Sequence, residues 1–117
     1  MAKTIMAIGG HIGDAELTAG ALMASNAVDG GKNITVALTA GERGNPPHLT
    51  PQEYRVQKVK EAEAFAKMVN GESFVLEYAD GELPNNEEVR YQVASIIRKV
   101  KPDVILTHWH SKMHKDH

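Results

Sequence analysis

Four of the six histidines, His108, His110, His114 and His117, fall in the last ten residues, and Asp116 stands among them. At the other end of the chain, Gly9-Gly10-His11-Ile12-Gly13-Asp14-Ala15-Glu16 places a fifth histidine three residues before an aspartate. Imidazole nitrogen and carboxylate oxygen are ligands for zinc and other borderline divalent metals. Two histidines and one carboxylate form the ligand set of a catalytic zinc site that keeps one position open for water. Such chemistry requires the two ends of the chain to meet. The sequence contains no cysteine. Disulfides and thiolate sites are therefore excluded, and any metal is held by nitrogen and oxygen.

The elements that would bring these groups together are legible as alternating patterns. Thr4–Ile8 is a β-branched and apolar run without polar alternation, as in a strand buried on both faces. The glycine-rich turn after it leads into a helical pattern with Leu17, Ala21, Leu22, Ala24 and Val28 as its apolar positions, closed by Gly30-Gly31. Asn33–Thr39 reads as a second strand. Ala40–Leu49 reads as a loop in which Glu42 and Arg43 are expected to face a substrate. Thr50-Pro51-Gln52-Glu53 combines an N-cap, a proline at the first helical position and the partner of a capping box. The helix it starts has Val56, Val59, Ala62, Ala66 and Val69 on its expected inner face. Ser73–Tyr78 is a third strand, and Asp80-Gly81-Glu82-Leu83 a turn. Asn86 caps a last helix carrying Val89, Val93, Ile96, Ile97 and Val100. A fourth strand, Asp103–Thr107, runs straight into the histidine cluster.

This β-α-β-α-β-α-β order predicts a parallel sheet with right-handed crossovers. The carboxyl ends of its strands then open on one edge, where ligands bind in such folds. His11 and Asp14 leave the first strand there, Glu42 and Arg43 the second, and the histidine cluster the fourth. A nucleotide-binding half of this fold fits less well, because Gly9-Gly10-His11-Ile12-Gly13 lacks the Gly-x-Gly-x-x-Gly fingerprint.

At 117 residues and a formal net charge of −2, the chain is expected to form a single domain, residues 1–117. It has no basic stripe and no apolar span of bilayer length, so neither nucleic acid nor a membrane is an expected partner. The N-terminus enters a strand pattern without a signal-peptide core, which predicts a cytoplasmic protein. The sheet is expected to have an open edge, which leaves homo-oligomerisation an option.

Both histidine segments resemble the PIG-L/LmbE-like zinc-dependent N-acetylglucosamine deacetylases, which include the phosphatidylinositol-glycan de-N-acetylase and the deacetylases of mycothiol and bacillithiol biosynthesis. The family's first motif, Ala-His-Pro-Asp-Asp-x-Glu after the first strand, matches Gly10-His11-Ile12-Gly13-Asp14-Ala15-Glu16. Its second, His-Pro-Asp-His after a Pro-Asp-Val-Val strand, matches His114-Lys115-Asp116-His117 after Pro102-Asp103-Val104-Ile105. Gly41-Glu42-Arg43-Gly44 and Asp80-Gly81-Glu82-Leu83 are similar to recurring loops of the family. The resemblance implies a Rossmann-like three-layer sandwich with a mostly parallel sheet, of which this chain is the N-terminal part. It implies Zn2+ or another divalent transition metal held by His11, Asp14 and His117. It also implies that His114 acts at the amide, with Asp116 behind its imidazole. The implied reaction is removal of the N-acetyl group from an amino sugar or related small amide.

One departure bears on the chemistry. The family's general base is the aspartate immediately before the ligand aspartate, and this chain has Gly13 there; Ile12 replaces the proline. Three accounts follow. Glu16 or Asp116 replaces the base, the metal-activated water attacks without one, or the protein binds metal and sugar without hydrolysis. Loss of a general base costs roughly two to four decades in rate. Weak activity is therefore the expectation, with a non-catalytic metal- or carbohydrate-binding member, or an incomplete fragment of the family, as the alternative. Restoring a carboxylate by Gly13→Asp is expected to raise the rate at least tenfold or so.

Overall fold

The computed structural model of the protein describes residues 2–108 and Asp116. His110, His114 and His117 lie outside the described residues. Among the described residues, four strands, β1 (Thr4–Gly9), β2 (Lys32–Thr39), β3 (Gly71–Tyr78) and β4 (Val104–Leu106), form one sheet in the order β3-β2-β1-β4. Every pairing is parallel. Three helices connect them, α1 (Asp14–Val28), α2 (Pro51–Met68) and α3 (Glu87–Val100).

The layers follow from the alternation of side chains along the strands. Ala7 packs with Ala15, Ala19 and Met23 of α1, and Ala37 packs with Ala62 of α2. The neighbouring positions Met6, Ile34 and Val36 point the other way, against Ile96, Ile97 and Val100 of α3. The sheet thus lies between α1 and α2 on one face and α3 on the other. The chain adds β2 and β3 on one side of β1, then crosses back to place β4 on the other. That reversal between β1 and β4 is where a parallel sheet opens a crevice at its carboxyl edge.

The α1 packing differs from the expected one. The buried stripe is Ala15, Ala19 and Met23, while Leu17 and Val28 are 89% and 87% exposed. Alanines four residues apart let the helix backbone approach the sheet closely, which larger side chains at those positions would prevent. The larger apolar residues are turned outward as a result. Val56 of α2, also expected inside, is 56% exposed; Ala62 and Ala66, expected on the same face, are buried. The other helix signals hold. Thr50 accepts the Glu53 N–H at 3.1 Å while Glu53 accepts the Thr50 N–H at 3.0 Å. The Asn86 side-chain oxygen Oδ1 accepts the Val89 N–H.

At the end of the sheet opposite the site, Asn33 is fully buried and ties three elements together. Its amide donates to the carbonyls of Met23 and Val69, at 3.0 and 2.7 Å, and its oxygen accepts from Asn26. The ends of α1 and α2 are thereby fixed to β2, since a buried carbonyl left unpaired costs about 1–3 kcal/mol. Among the described residues, no helix is long and apolar enough to cross a membrane.

Candidate metal centre

The loop between β1 and α1 is held from three sides. The Gly10 carbonyl accepts both the N–H and the hydroxyl of Thr39, at 2.9 and 2.8 Å. Its N–H donates to His108 Nε2 at 3.0 Å, just past the end of β4. Ile12 is buried with Ala37, Ala40 and Ala62, so a hydrophobic plug anchors the loop next to His11. Gly13 then caps α1 with φ 109° and ψ −29°, a backbone conformation that side-chain-bearing residues rarely adopt. The replacement of the family aspartate by glycine and the shape of this turn therefore go together.

His11 stands among three carboxylates. Its Nδ1 lies 3.5 Å from Asp14 Oδ2. Its Nε2 lies 2.9 Å from Asp116 Oδ2 and 3.0 Å from Asp80 Oδ1. Asp14 Oδ2 also accepts the His11 N–H at 2.9 Å and lies 3.3 Å from His108 Nε2. Asp116 is buried and accepts the Gly81 and Leu83 N–H groups at 2.7 and 3.3 Å. Burial alone would push its carboxyl up. The Gly81 N–H, the His11 imidazole and the Leu83 N–H outweigh that effect and hold it below its ordinary value.

Two arrangements of a cation suit this donor set. His11, Asp80 and Asp116 each offer one ligand atom, and all three atoms lie within 4.8 Å of one another. On the opposite side of the ring, Nδ1 and Asp14 face each other at a separation compatible with two ligands of one ion. The second arrangement follows where Nε2 carries the imidazole proton. Asp14, Asp80 and Asp116 each accept a backbone N–H, Asp80 from Arg43 at 2.9 Å. An Nε2–H donated to Asp80 or Asp116 leaves the Nδ1 lone pair directed to the Asp14 side, the usual support for a metal-bound histidine. A cleft of about 340 Å³ adjoins that side, with Asp14, His108, Thr18 and Leu106 in its lining. Three carboxylates around one imidazole also concentrate negative charge that a divalent cation offsets.

The remaining sequence-predicted residues take definite places. Glu16 accepts the Gly13 N–H at 3.3 Å and so serves the first turn of α1. Glu42 and Arg43, expected in an irregular loop, form a short 3-10 turn, Glu42–Gly44. Both reach the site through the 80–83 turn. Glu42 Oε2 accepts the Asp80 N–H at 2.8 Å, and the Arg43 guanidinium pairs with Glu82. Asp116, expected behind the His114 imidazole, has His11 as a partner; His114 and His117 lie outside the described residues. Asp80 and Arg55 take part without having been assigned a role, and His108 is the described member of the histidine cluster. Asp80 and His108 each follow the carboxyl end of a strand, the same placement rule that singled out Glu42. In the sequence, Asp80 reads as part of a turn similar to a recurring loop of the family, with no role for its carboxylate.

Known proteins share this fold. The model of the GlcNAc-PI de-N-acetylase family, PIG-L, matches residues 6–117. No match was found among curated protein sequences. Among solved structures, N,N'-diacetylchitobiose deacetylase from Pyrococcus horikoshii superimposes with a TM-score of 0.88 at 28% identity, over 98% of this chain and 45% of its own. The 4-carboxy-2-hydroxymuconate hydratase GalB from Pseudomonas putida KT2440 gives 0.88 at 23% identity, over 98% of this chain and 51% of its own. A deacetylase of the teicoplanin biosynthesis pathway gives 0.76 at 22% identity, over 97% and 58%. This chain therefore spans about half the length of these structural neighbours, and the last two likenesses concern the fold alone. With the family model covering both histidine segments and the strand edge between them, the chain belongs to the PIG-L family.

Proposed function

We propose that the protein is a metal-dependent hydrolase that removes the N-acetyl group from an amino sugar or a related small amide in the cytoplasm. In this reading Zn2+ or a similar divalent ion is held by His11 and Asp14, with His117 as a further ligand. The observation that carries the reading is the His11 ring. Its Nε2 is held by two carboxylates, at 2.9 and 3.0 Å, and its Nδ1 is turned to Asp14. The family membership and the likeness to a deacetylase at 28% identity support the same reading.

When bound, the ion would lower the pKa of a coordinated water and polarise the acetyl carbonyl. The chain's own residues account for the rest. Asp80 and Asp116 fix the imidazole in one tautomer and orientation. The cleft beside Asp14 and His108 is where the amide would enter. Glu42 and Arg43 shape its rim through the 80–83 turn; of the two, Arg43 is the exposed one, and it would meet a substrate hydroxyl or phosphate by leaving Glu82. His114 would protonate the leaving amine.

A proton acceptor is the weak point. Gly13 has no side chain, Glu16 is bonded to the Gly13 N–H, and Asp116 is buried beneath three donors. This favours slow turnover, and it also gives a second reading its basis, a family member that binds metal and sugar without hydrolysis. Acetate release from N-acetylglucosamine derivatives, by metal-loaded and chelated protein, separates the two. Slow release abolished by chelation and by His11→Ala is expected. No release despite a bound ion favours the binding module.

A further inference from the structure

We propose that Arg55 is a positioning residue, which sets the carboxylates around His11 by holding Glu42 and the end of β3. The inference rests on the metal reading above and adds to it a residue on α2 that touches neither His11 nor Asp14 in any contact described for it.

The contacts form a connected path. In the β2–β3 pairing, Ala37 is opposite Val75 but Thr39 is opposite Tyr78. Two residues of β3, Leu76 and Glu77, thus stand against Leu38 alone, a bulge that redirects the strand just before Asp80. Arg55 Nη2 donates to the Leu76 carbonyl in that bulge at 3.1 Å. Its Nη1 lies 3.7 Å from Glu42 Oε1. The Glu42 side chain is only 12% exposed. Oε1 is out of contact with solvent and accepts no hydrogen bond among the described residues, so the Arg55 charge is what compensates it. The other oxygen of Glu42 accepts the Asp80 N–H.

The consequence for the site lies in the turn these groups hold. Asp80 supplies one oxygen to His11 Nε2. The next residues, Gly81 and Leu83, donate the N–H groups that fix Asp116, the second carboxylate on that nitrogen. Both acidic partners of Nε2 are thus set by one four-residue turn. Arg55 grips that turn from the strand side through Leu76 and from the Glu42 side through charge. Without the guanidinium, a carboxylate is buried with no cation beside it. It then moves towards solvent, and its hold on Asp80 changes.

The test compares wild type with R55M, E42Q and the E42Q/R55M double variant in two readouts. One is Co2+ titration followed by visible absorption, and the other is amide hydrogen exchange at Gly81 and Leu83, with circular dichroism checking that each variant is folded. R55M is expected to weaken Co2+ binding roughly ten- to hundredfold and to speed exchange at both amides. The double variant is expected to bind more tightly than R55M, because E42Q removes the uncompensated charge. If R55M does not fold, R55K takes its place, retaining the charge but not the two-point contact, with a smaller loss in both readouts. Wild-type Co2+ affinity in R55M, or in R55K where that replaces it, overturns the inference. So does exchange that stays slow at Gly81 and Leu83. A double variant no tighter than R55M overturns the charge-based account. A wild type that takes up no Co2+ overturns the metal reading instead, and the exchange data then decide by themselves whether Arg55 holds the turn.

Discussion

His11 Nε2 and Asp116 Oδ2 lie 2.9 Å apart although 105 residues separate them in the chain. Asp116 fixes the ring and is itself fixed by two backbone N–H groups. Asp116→Asn removes the charge while keeping the shape, and is expected to weaken Zn2+ or Co2+ binding roughly ten- to hundredfold, as loss of the partner behind a ligand histidine does. Competition against a chromophoric chelator measures it. Unchanged affinity would show that Asp116 does not support the His11 ligand.

Gly13 carries a second expectation, altered by the structure. A Cβ at this position would meet an unfavourable backbone conformation at φ 109° and stand 3.6 Å from Lys58 Nζ. Gly13→Ala is therefore expected to destabilise the protein by about 1–3 kcal/mol in denaturant unfolding. A carboxylate introduced by Gly13→Asp would pair with the Lys58 ammonium, which leaves it poorly placed to accept a proton. G13D alone is thus expected to change acetate release little. The G13D/K58M double variant is expected to raise it at least tenfold or so. A full gain from G13D by itself would show that Lys58 does not hold the new carboxylate.

The cap of α2 gives a pH dependence of known sign. The Thr50 N–H, and after it the Thr50 hydroxyl, hold the Glu53 carboxyl below the ordinary glutamate range. A carboxyl lowered in the folded state stabilises it fully above the unfolded pKa of about 4.3. That contribution fades as pH falls through the folded value. Wild type is expected to melt higher than Glu53→Gln at neutral pH, with the gap closing as pH falls below about 4. An equal gap at neutral and acid pH would contradict this.

The sequence carried the architecture because the dominant signals are local. β-branched runs bounded by glycine marked the strands, and the Thr50–Glu53 and Asn86 caps marked helix starts with side-chain chemistry. The edge on which His11, Glu42 and His108 lie followed from the parallel order alone. Burial within helices was less legible. On α1, apolar size pointed to Leu17 and Val28, while close approach to the sheet selected Ala15 and Ala19. The partners of His11 were the least legible. Asp80 and Asp116 meet its Nε2 only because the 80–83 turn folds back over the site, and that turn is set by Arg55, Glu42 and the β3 bulge. Such contacts between distant segments leave no period or spacing in the chain.

Metal binding by His11 and Asp14 is the step on which the proposed hydrolysis depends. Its most direct measurement is the metal content of the protein after equilibration with Zn2+ and gel filtration, for wild type, His11→Ala and Asp14→Ala. The expected result is about one tightly held ion per chain in the wild type, the number a site of this kind takes, and a large loss in both variants. A wild type that retains no metal, or variants that retain as much as the wild type, would contradict it.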